Sequence, residues 1–121
     1  MPKILVVEDN DLNRQMIVRR LEHRGFEVVT ADDGPSALTQ VEATWPDLVL
    51  MDIQLPKMDG WDVARRLKEN PTTSYVPIVA LTANDLPTDR ARAEAMGFDG
   101  FESKPIDLER VIATIESLIG R

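Results

Sequence analysis

The sequence predicts an α/β fold, a doubly wound five-stranded parallel sheet with helices on both faces. Three observations predict it. Short apolar runs recur along the chain, and most lack the alternation of a half-buried strand, as expected of strands covered on both faces. Segments with helical spacing separate the runs. Glycines stand where two of those helices should stop. The order βαβαβαβαβα that results implies parallel strands joined by right-handed crossovers.

The first run is Ile4-Leu5-Val6-Val7. A helix follows over Asp11 to Arg24, with Ile17 and Leu21 one turn apart and Gly25 as its terminator. Phe26-Glu27-Val28-Val29 is the second run, and Ala37 and Val41 repeat the helical spacing after it. Leu48-Val49-Leu50-Met51 is the third, followed by Val63 and Leu67. Ile78-Val79-Ala80-Leu81 is the fourth, and the segment after it places Ala91 and Ala95 on one face before Gly97. A weaker strand surrounds Phe98 to Ser103. The last helix carries Leu108, Val111, Ile112, Ile115 and Ile119 as a wide apolar stripe, with Asp107 placed to cap its start.

The 121 residues are 43% hydrophobic and 29% charged, which fits one soluble domain over residues 1–121 with no output domain. No apolar run approaches the roughly 18 residues of a membrane span. The start of the chain has too short an apolar stretch for a signal peptide, so a cytoplasmic location is expected. There is no cysteine, which excludes thiol catalysis, thiolate metal sites and disulfides. A net charge of −7 argues against nucleic acid as the main ligand.

In an open parallel sheet, ligands bind beyond the carboxyl ends of the strands, at a topological switch point. Glu8 and Asp9 follow the first strand and Asp52 ends the third. Thr82 ends the fourth, and the fifth runs into Lys104. Three carboxylates, a hydroxyl and an ammonium thus converge on one edge. Crowded carboxylates repel, and burial adds to the cost. A hard cation such as Mg²⁺, with Mn²⁺ as the alternative, offsets that cost while keeping coordination positions for water or phosphate oxygens. An aspartate beside it can act as a nucleophile toward phosphorus. Thr82 and Lys104 are the types that contact a phosphoryl group. The bland reading is that acids after strands merely cap helices; it suits Asp9 alone better than the whole set.

These residues lie in motifs that resemble the response-regulator receiver family over the whole chain. The motifs are Val7-Glu8-Asp9-Asn10, Met51-Asp52-Ile53-Gln54-Leu55-Pro56 with Met58-Asp59-Gly60, Leu81-Thr82-Ala83, and Ser103-Lys104-Pro105. Each alone is weak; in this order they are specific. The resemblance implies a flavodoxin-like fold and a phosphoryl group passing from a histidine kinase or histidine phosphotransfer protein to Asp52. It implies Mg²⁺ held by Asp9, Asp52 and the backbone carbonyl of Gln54, with Glu8 acting through water. It makes Lys104 the partner of the phosphoryl group, Thr82 and Phe101 the switch, and Lys104-Pro105 a cis peptide. Asn10, Asn13 and Arg14 resemble receivers of phosphorelays and hybrid kinases, and the chain resembles single-domain regulators of the DivK type. Phe101 departs from the more frequent tyrosine, so the switch ring has no hydroxyl.

The same residues admit other readings. His23 suits a surface position in the last turn of its helix better than a phosphodonor role. Arg14, Arg19, Arg20 and Arg24 form either a solvated face or a docking face for an acidic partner helix. A downstream partner is expected on the surface made by Pro87–Met96, Phe98–Ser103 and Asp107–Ile119. Trp61 reads as a packing residue, Trp45 as a loop residue over the lower edge of the core, and Gly60 and Gly97 as turn or cap residues. Asp47, Asp59 and Asp62 read as solvated or capping acids. A Mg²⁺-dependent phosphatase using an aspartate nucleophile would need a carboxylate where Gln54 stands. Only self-phosphorylation from small donors and self-dephosphorylation are therefore expected as catalysis. A flavin carrier would need a phosphate loop free of the charges on Glu8, Asp9 and Asp11. A pseudo-receiver acting by protein contact alone would not need all five site residues.

Overall fold

The computed structural model describes residues 1–82, 87–103 and 106–120. In chain order its elements are β1 (Lys3–Val7), α1 (Asp11–His23), β2 (Glu27–Ala31), α2 (Gly34–Thr44) and β3 (Leu48–Asp52). Then follow α3 (Gly60–Glu69), β4 (Ile78–Thr82), α4 (Pro87–Ala95), β5 (Gly100–Ser103) and α5 (Leu108–Ile119). The strands form one parallel sheet in the order β2-β1-β3-β4-β5. The chain first builds outward from β1 to β2, then returns to place β3 on the other side of β1. The switch point therefore lies between the carboxyl ends of β1 and β3, where a crevice opens between diverging crossovers.

Side chains alternate across each strand, so the sheet feeds two cores. Leu5, Val7, Val49, Met51, Ile78 and Ala80 pack with Ala37, Val41, Val63, Leu67 and Ala93 on the side of α2, α3 and α4. Ile4, Val6, Leu48, Leu50, Val79 and Leu81 pack with Ile17, Leu21, Val111, Ile112 and Ile115 on the side of α1 and α5. Each large aliphatic chain fully buried here contributes about 1.5–3 kcal/mol over an exposed one. That is why unbroken apolar runs mark the central strands.

Side-chain caps set the helix starts. Asn10 accepts the amide of Asn13, Asp33 that of Ser36, Asp59 that of Asp62 and Asp107 that of Arg110. After α1 and α4 the chain turns through Gly25 and Gly97, at φ 90° and 87°, a conformation that glycine adopts without a Cβ penalty.

The local expectations fail in three places. β2 begins at Glu27 and runs to Ala31; Phe26 is buried but precedes the strand. On α4 it is Ala93 that is buried, while the expected pair, Ala91 and Ala95, lies on the exposed face. Alanine buries too little area to declare a face. Trp45, 50% exposed, covers less of the core than expected and closes α2 in the left-handed conformation.

Candidate functional site

The carboxyl ends of β1 and β3 carry the acidic groups. The pairing of β1 with β2 continues one step past the strand, because the Glu8 amide donates to the Ala31 carbonyl at 3.1 Å. Likewise the Ile53 amide donates to Leu81 at 3.0 Å, extending the pairing of β3 with β4. The backbone on either side of the crevice is thus fixed to the point where the site begins. Glu8 and Asp52 are buried, at 1% and 2% exposure, whereas Asp9 is exposed. One carboxylate oxygen from each of the three lies within 4.8 Å of the others. Asn10 caps α1, so Asp9 does not. This removes the bland reading of Asp9.

Three carboxylates at this spacing, two of them out of water, form a hard-oxygen donor set with excess negative charge. A small divalent cation fits them, with Asp9 facing solvent and Glu8 and Asp52 behind it. Asp52 Oδ1 accepts the Gln54 amide at 2.9 Å, which orients the carboxylate and ties it to the loop that follows. That loop returns closely over the strand. A Cβ on Gly60 would stand 2.6 Å from Ile53 Cα and 2.9 Å from the Asp52 carbonyl, and the Gly60 amide donates to Ile53 O at 2.7 Å. Gly60 is therefore required by close approach of backbone to backbone rather than by a turn, its expected role.

Thr82 is buried at 4% exposure at the end of β4. β4 and β5 pair Thr82 with Ser103 and Ala80 with Phe101. Thr82 and Phe101 consequently share a face of the sheet as diagonal neighbours. A cleft of about 220 Å³ that reaches Thr82 is lined by Ile53, Gln54, Asp59, Trp61, Thr82 and Asp89. A larger hollow of about 400 Å³ lies at the opposite edge of the sheet, among Met1, Pro2, Asp47, Pro77, Leu118 and Ile119, where no acids converge. Lys104, Pro105 and the peptide between them lie outside the described residues, as does Ala83.

One neighbour of the site differs from the expectation. Arg14, grouped with the basic face, donates Nη1 to the Glu8 carbonyl at 2.9 Å and Nη2 to Asp11. It braces the strand end that carries Glu8, and no spacing rule announces such a contact. Arg20 and Arg24 are also committed, both to Glu109 on α5. A docking face of four open arginines is therefore not what α1 presents. Arg19 has no acidic partner among the described residues, and it shares α1 with the exposed Leu12 and Met16. His23 is exposed at the end of α1, as expected.

Residues 4–116 match the model of the response regulator receiver domain. The polar-differentiation response regulator DivK of Brucella anthropi is 38% identical over 121 residues, covering 99% of this chain and 98% of DivK. The chain belongs to the response regulator receiver family. The response regulator PleD of Caulobacter vibrioides is 40% identical over 116 residues, but the match spans only 26% of PleD's length. Among solved structures, chemotaxis response regulator CheY4 of Vibrio cholerae superposes with a TM-score of 0.91 at 30% identity, over 98% of each chain. The receiver domain of sensor histidine kinase PA1611 from Pseudomonas aeruginosa PAO1 superposes at 0.90 with 33% identity, over 99% of this chain and 98% of that one. That structure has a magnesium ion coordinated in its active-site cleft. The present chain is thus a receiver domain of two-component signalling with a flavodoxin-like fold, and its acidic cluster is compatible with Mg²⁺. No helix among the described residues is long and apolar enough to cross a membrane.

Proposed function

We propose that this receiver, one unit over residues 1–121, accepts a phosphoryl group on Asp52 from a histidine kinase or histidine phosphotransfer protein in the cytoplasm. The observation that carries the reading is the meeting of Glu8, Asp9 and Asp52 within 4.8 Å, with Asp52 buried and oriented by the Gln54 amide. An oxygen of Asp52 attacks phosphorus in line, an oxygen–phosphorus bond forms, and the bond from phosphorus to the donor imidazole breaks. The imidazole leaves and takes up a proton. Asp9, Asp52 and the Gln54 carbonyl would hold Mg²⁺ (or Mn²⁺), with Glu8 acting through water. When bound, the ion supplies charge neutralisation at the transferring oxygens. Lys104 pairs with the new phosphoryl group and the Thr82 hydroxyl donates to it.

The signal leaves through Thr82 and Phe101 to a protein partner on the surface of α4, β5 and α5. The donor docks on α1, where Leu12 and Met16 supply apolar anchors and Arg19 a positive charge. Neither nucleic acid nor membrane is a partner. Turnover is confined to self-phosphorylation from small donors and self-dephosphorylation.

Intact-mass measurement after acetyl phosphate with Mg²⁺ tests this reading. The wild type gains one phosphoryl group. Asp52→Asn keeps the shape, loses the nucleophile and gains none. A pseudo-receiver would give no adduct in either protein, and labelling of Asp52→Asn at the wild-type level would move the acceptor elsewhere.

A further inference from the structure

The loop of residues 53–59 is held from outside as well as from within. Lys57 Nζ lies 3.3 Å from Asp33 Oδ2, at the start of α2. Asp33 divides its two oxygens, Oδ1 accepting the Ser36 amide at 2.8 Å and Oδ2 facing Lys57. The hydrogen bonds from Ser36 lower the Asp33 carboxyl below its usual range, and Lys57 lowers it further. Lys57 itself sits at φ 67°, a left-handed conformation that a lysine keeps only when its surroundings demand it. Directly beside the pair, a Cβ on Gly34 would stand 2.7 Å from both Cβ and O of Met58. The loop is therefore pressed against the first turn of α2, and only glycine there lets it come so close. At its other end the same loop carries the Gln54 amide that donates to Asp52.

We propose that Asp33 and Lys57 are positioning residues for the phosphoacceptor: their ion pair ties the loop to α2 and thereby sets the Gln54 backbone against Asp52. The inference rests on the reading of Asp52 and its cation given above. It goes beyond that reading by placing control of the site on two residues outside the acidic cluster.

Charge alone and positioning make opposite predictions at Lys57. Removing a cation near an acidic site tightens Mg²⁺ binding by simple Coulomb attraction, whereas removing the tie loosens it. At Asp33 the two effects share a sign. Lys57→Asn is the informative variant, because asparagine tolerates the left-handed conformation and so leaves the loop backbone no freer. Asp33→Asn keeps an oxygen for the Ser36 amide.

The experiment is calorimetric titration of each 121-residue protein with MgCl₂ at low salt, alongside amide exchange at Gln54. Lys57→Asn and Asp33→Asn should each weaken Mg²⁺ binding by about two- to fivefold, the range of a partly exposed ion pair. The double variant should be no weaker than the weaker single one, and Lys57→Arg should restore wild-type affinity. The Gln54 amide should exchange faster in both Asn variants. Unchanged or tighter Mg²⁺ binding by Lys57→Asn overturns the proposal, as does additive loss in the double variant. Failure of the wild type to bind Mg²⁺ is a different result; it overturns the metal reading beneath the proposal.

Discussion

The guanidinium of Arg90 on α4 lies 4.9 Å from the centre of the Phe101 ring on β5. Phe101 is half-buried against the core on that side of the sheet, with Arg90 over its face. A neighbouring contact repeats the arrangement: Arg92 stands 4.2 Å from the centre of Trp61, which meets Phe98 edge to face at 5.5 Å. A ring without a hydroxyl cannot be held by hydrogen bonding, but its face can hold a cation. At such a site the attraction is worth about 0.5–1 kcal/mol.

The first prediction follows from that magnitude. If Phe101 is the switch proposed above, Arg90→Ala should shift its ring away from α4, toward the space beside Thr82 on β4, by roughly two- to fivefold in population. Fluorine NMR of protein labelled with 4-fluorophenylalanine can resolve it, since the chain has three phenylalanines. The Phe101 resonance of Arg90→Ala should move toward its position in wild type bound to beryllofluoride, a mimic of the phosphoryl group. A resonance that does not move means that Arg90 does not hold the ring.

The second prediction concerns the metal. Glu8, Asp9 and Asp52 repel one another, and a cation bound only by the native state recovers the loss. At ten times its Kd, Mg²⁺ should add about 1.4 kcal/mol. In a domain of this size that raises Tm by roughly 4–6 °C. Asp9→Ala should erase the rise and increase the metal-free Tm, because it removes a repelling charge from an exposed position. An equal Mg²⁺ shift in wild type and variant would place the ion elsewhere.

The third prediction concerns pH. Glu109 accepts hydrogen bonds from Arg24 and from Arg20, the latter at 2.6 Å, joining α5 to α1. Hydrogen bonding to Arg24 is the largest influence on its carboxyl and lowers it below 4.5, its ordinary value. A carboxyl depressed in the folded state stabilises the fold above its unfolded value, and that gain is lost as pH falls through the folded one. Wild type should therefore have a higher Tm than Glu109→Gln from neutral pH down to 4.5, with the gap closing below. Because the three side chains are partly exposed, added salt should narrow the gap at neutral pH. A gap that persists in strong acid would show that packing, not charge, links the two helices.

What could be read from the sequence divides along physical lines. The central strands were legible because residues such as Val49 and Leu50 are buried on opposite faces of one strand, which leaves an unbroken apolar run. The acidic cluster was legible because chain order and the switch point together bring Glu8 and Asp52 to one edge. Ala93 was missed because alanine carries little hydrophobic signal and α4 is polar elsewhere. The tie from Arg20 to Glu109 spans 89 positions, and that from Lys57 to Asp33 joins two loops. Such pairs depend on where the elements pack, which no local pattern encodes.

The last prediction separates accepting the phosphoryl group from transmitting its arrival. Thr82 ends β4 and shares a sheet face with Phe101, its diagonal neighbour on the adjacent strand. A phosphoryl group on Asp52 adds charge and acceptor oxygens beyond the end of β3. Under the proposed function the Thr82 hydroxyl should move toward an oxygen of that group and vacate space beside β4, which the Phe101 ring should then fill. Charge at one strand end would thereby be converted into a packing change under α4. Thr82→Ala leaves Asp52, its acidic neighbours and the Gln54 amide untouched, so it should still take up the phosphoryl group from acetyl phosphate. Its hydrogen-exchange response to beryllofluoride should instead stay near Asp52, while in wild type it should reach residues 98–103 and α5. A wild-type pattern that never leaves the neighbourhood of Asp52, or a Thr82→Ala pattern that reaches α5 just as far, would exclude Thr82 as the link.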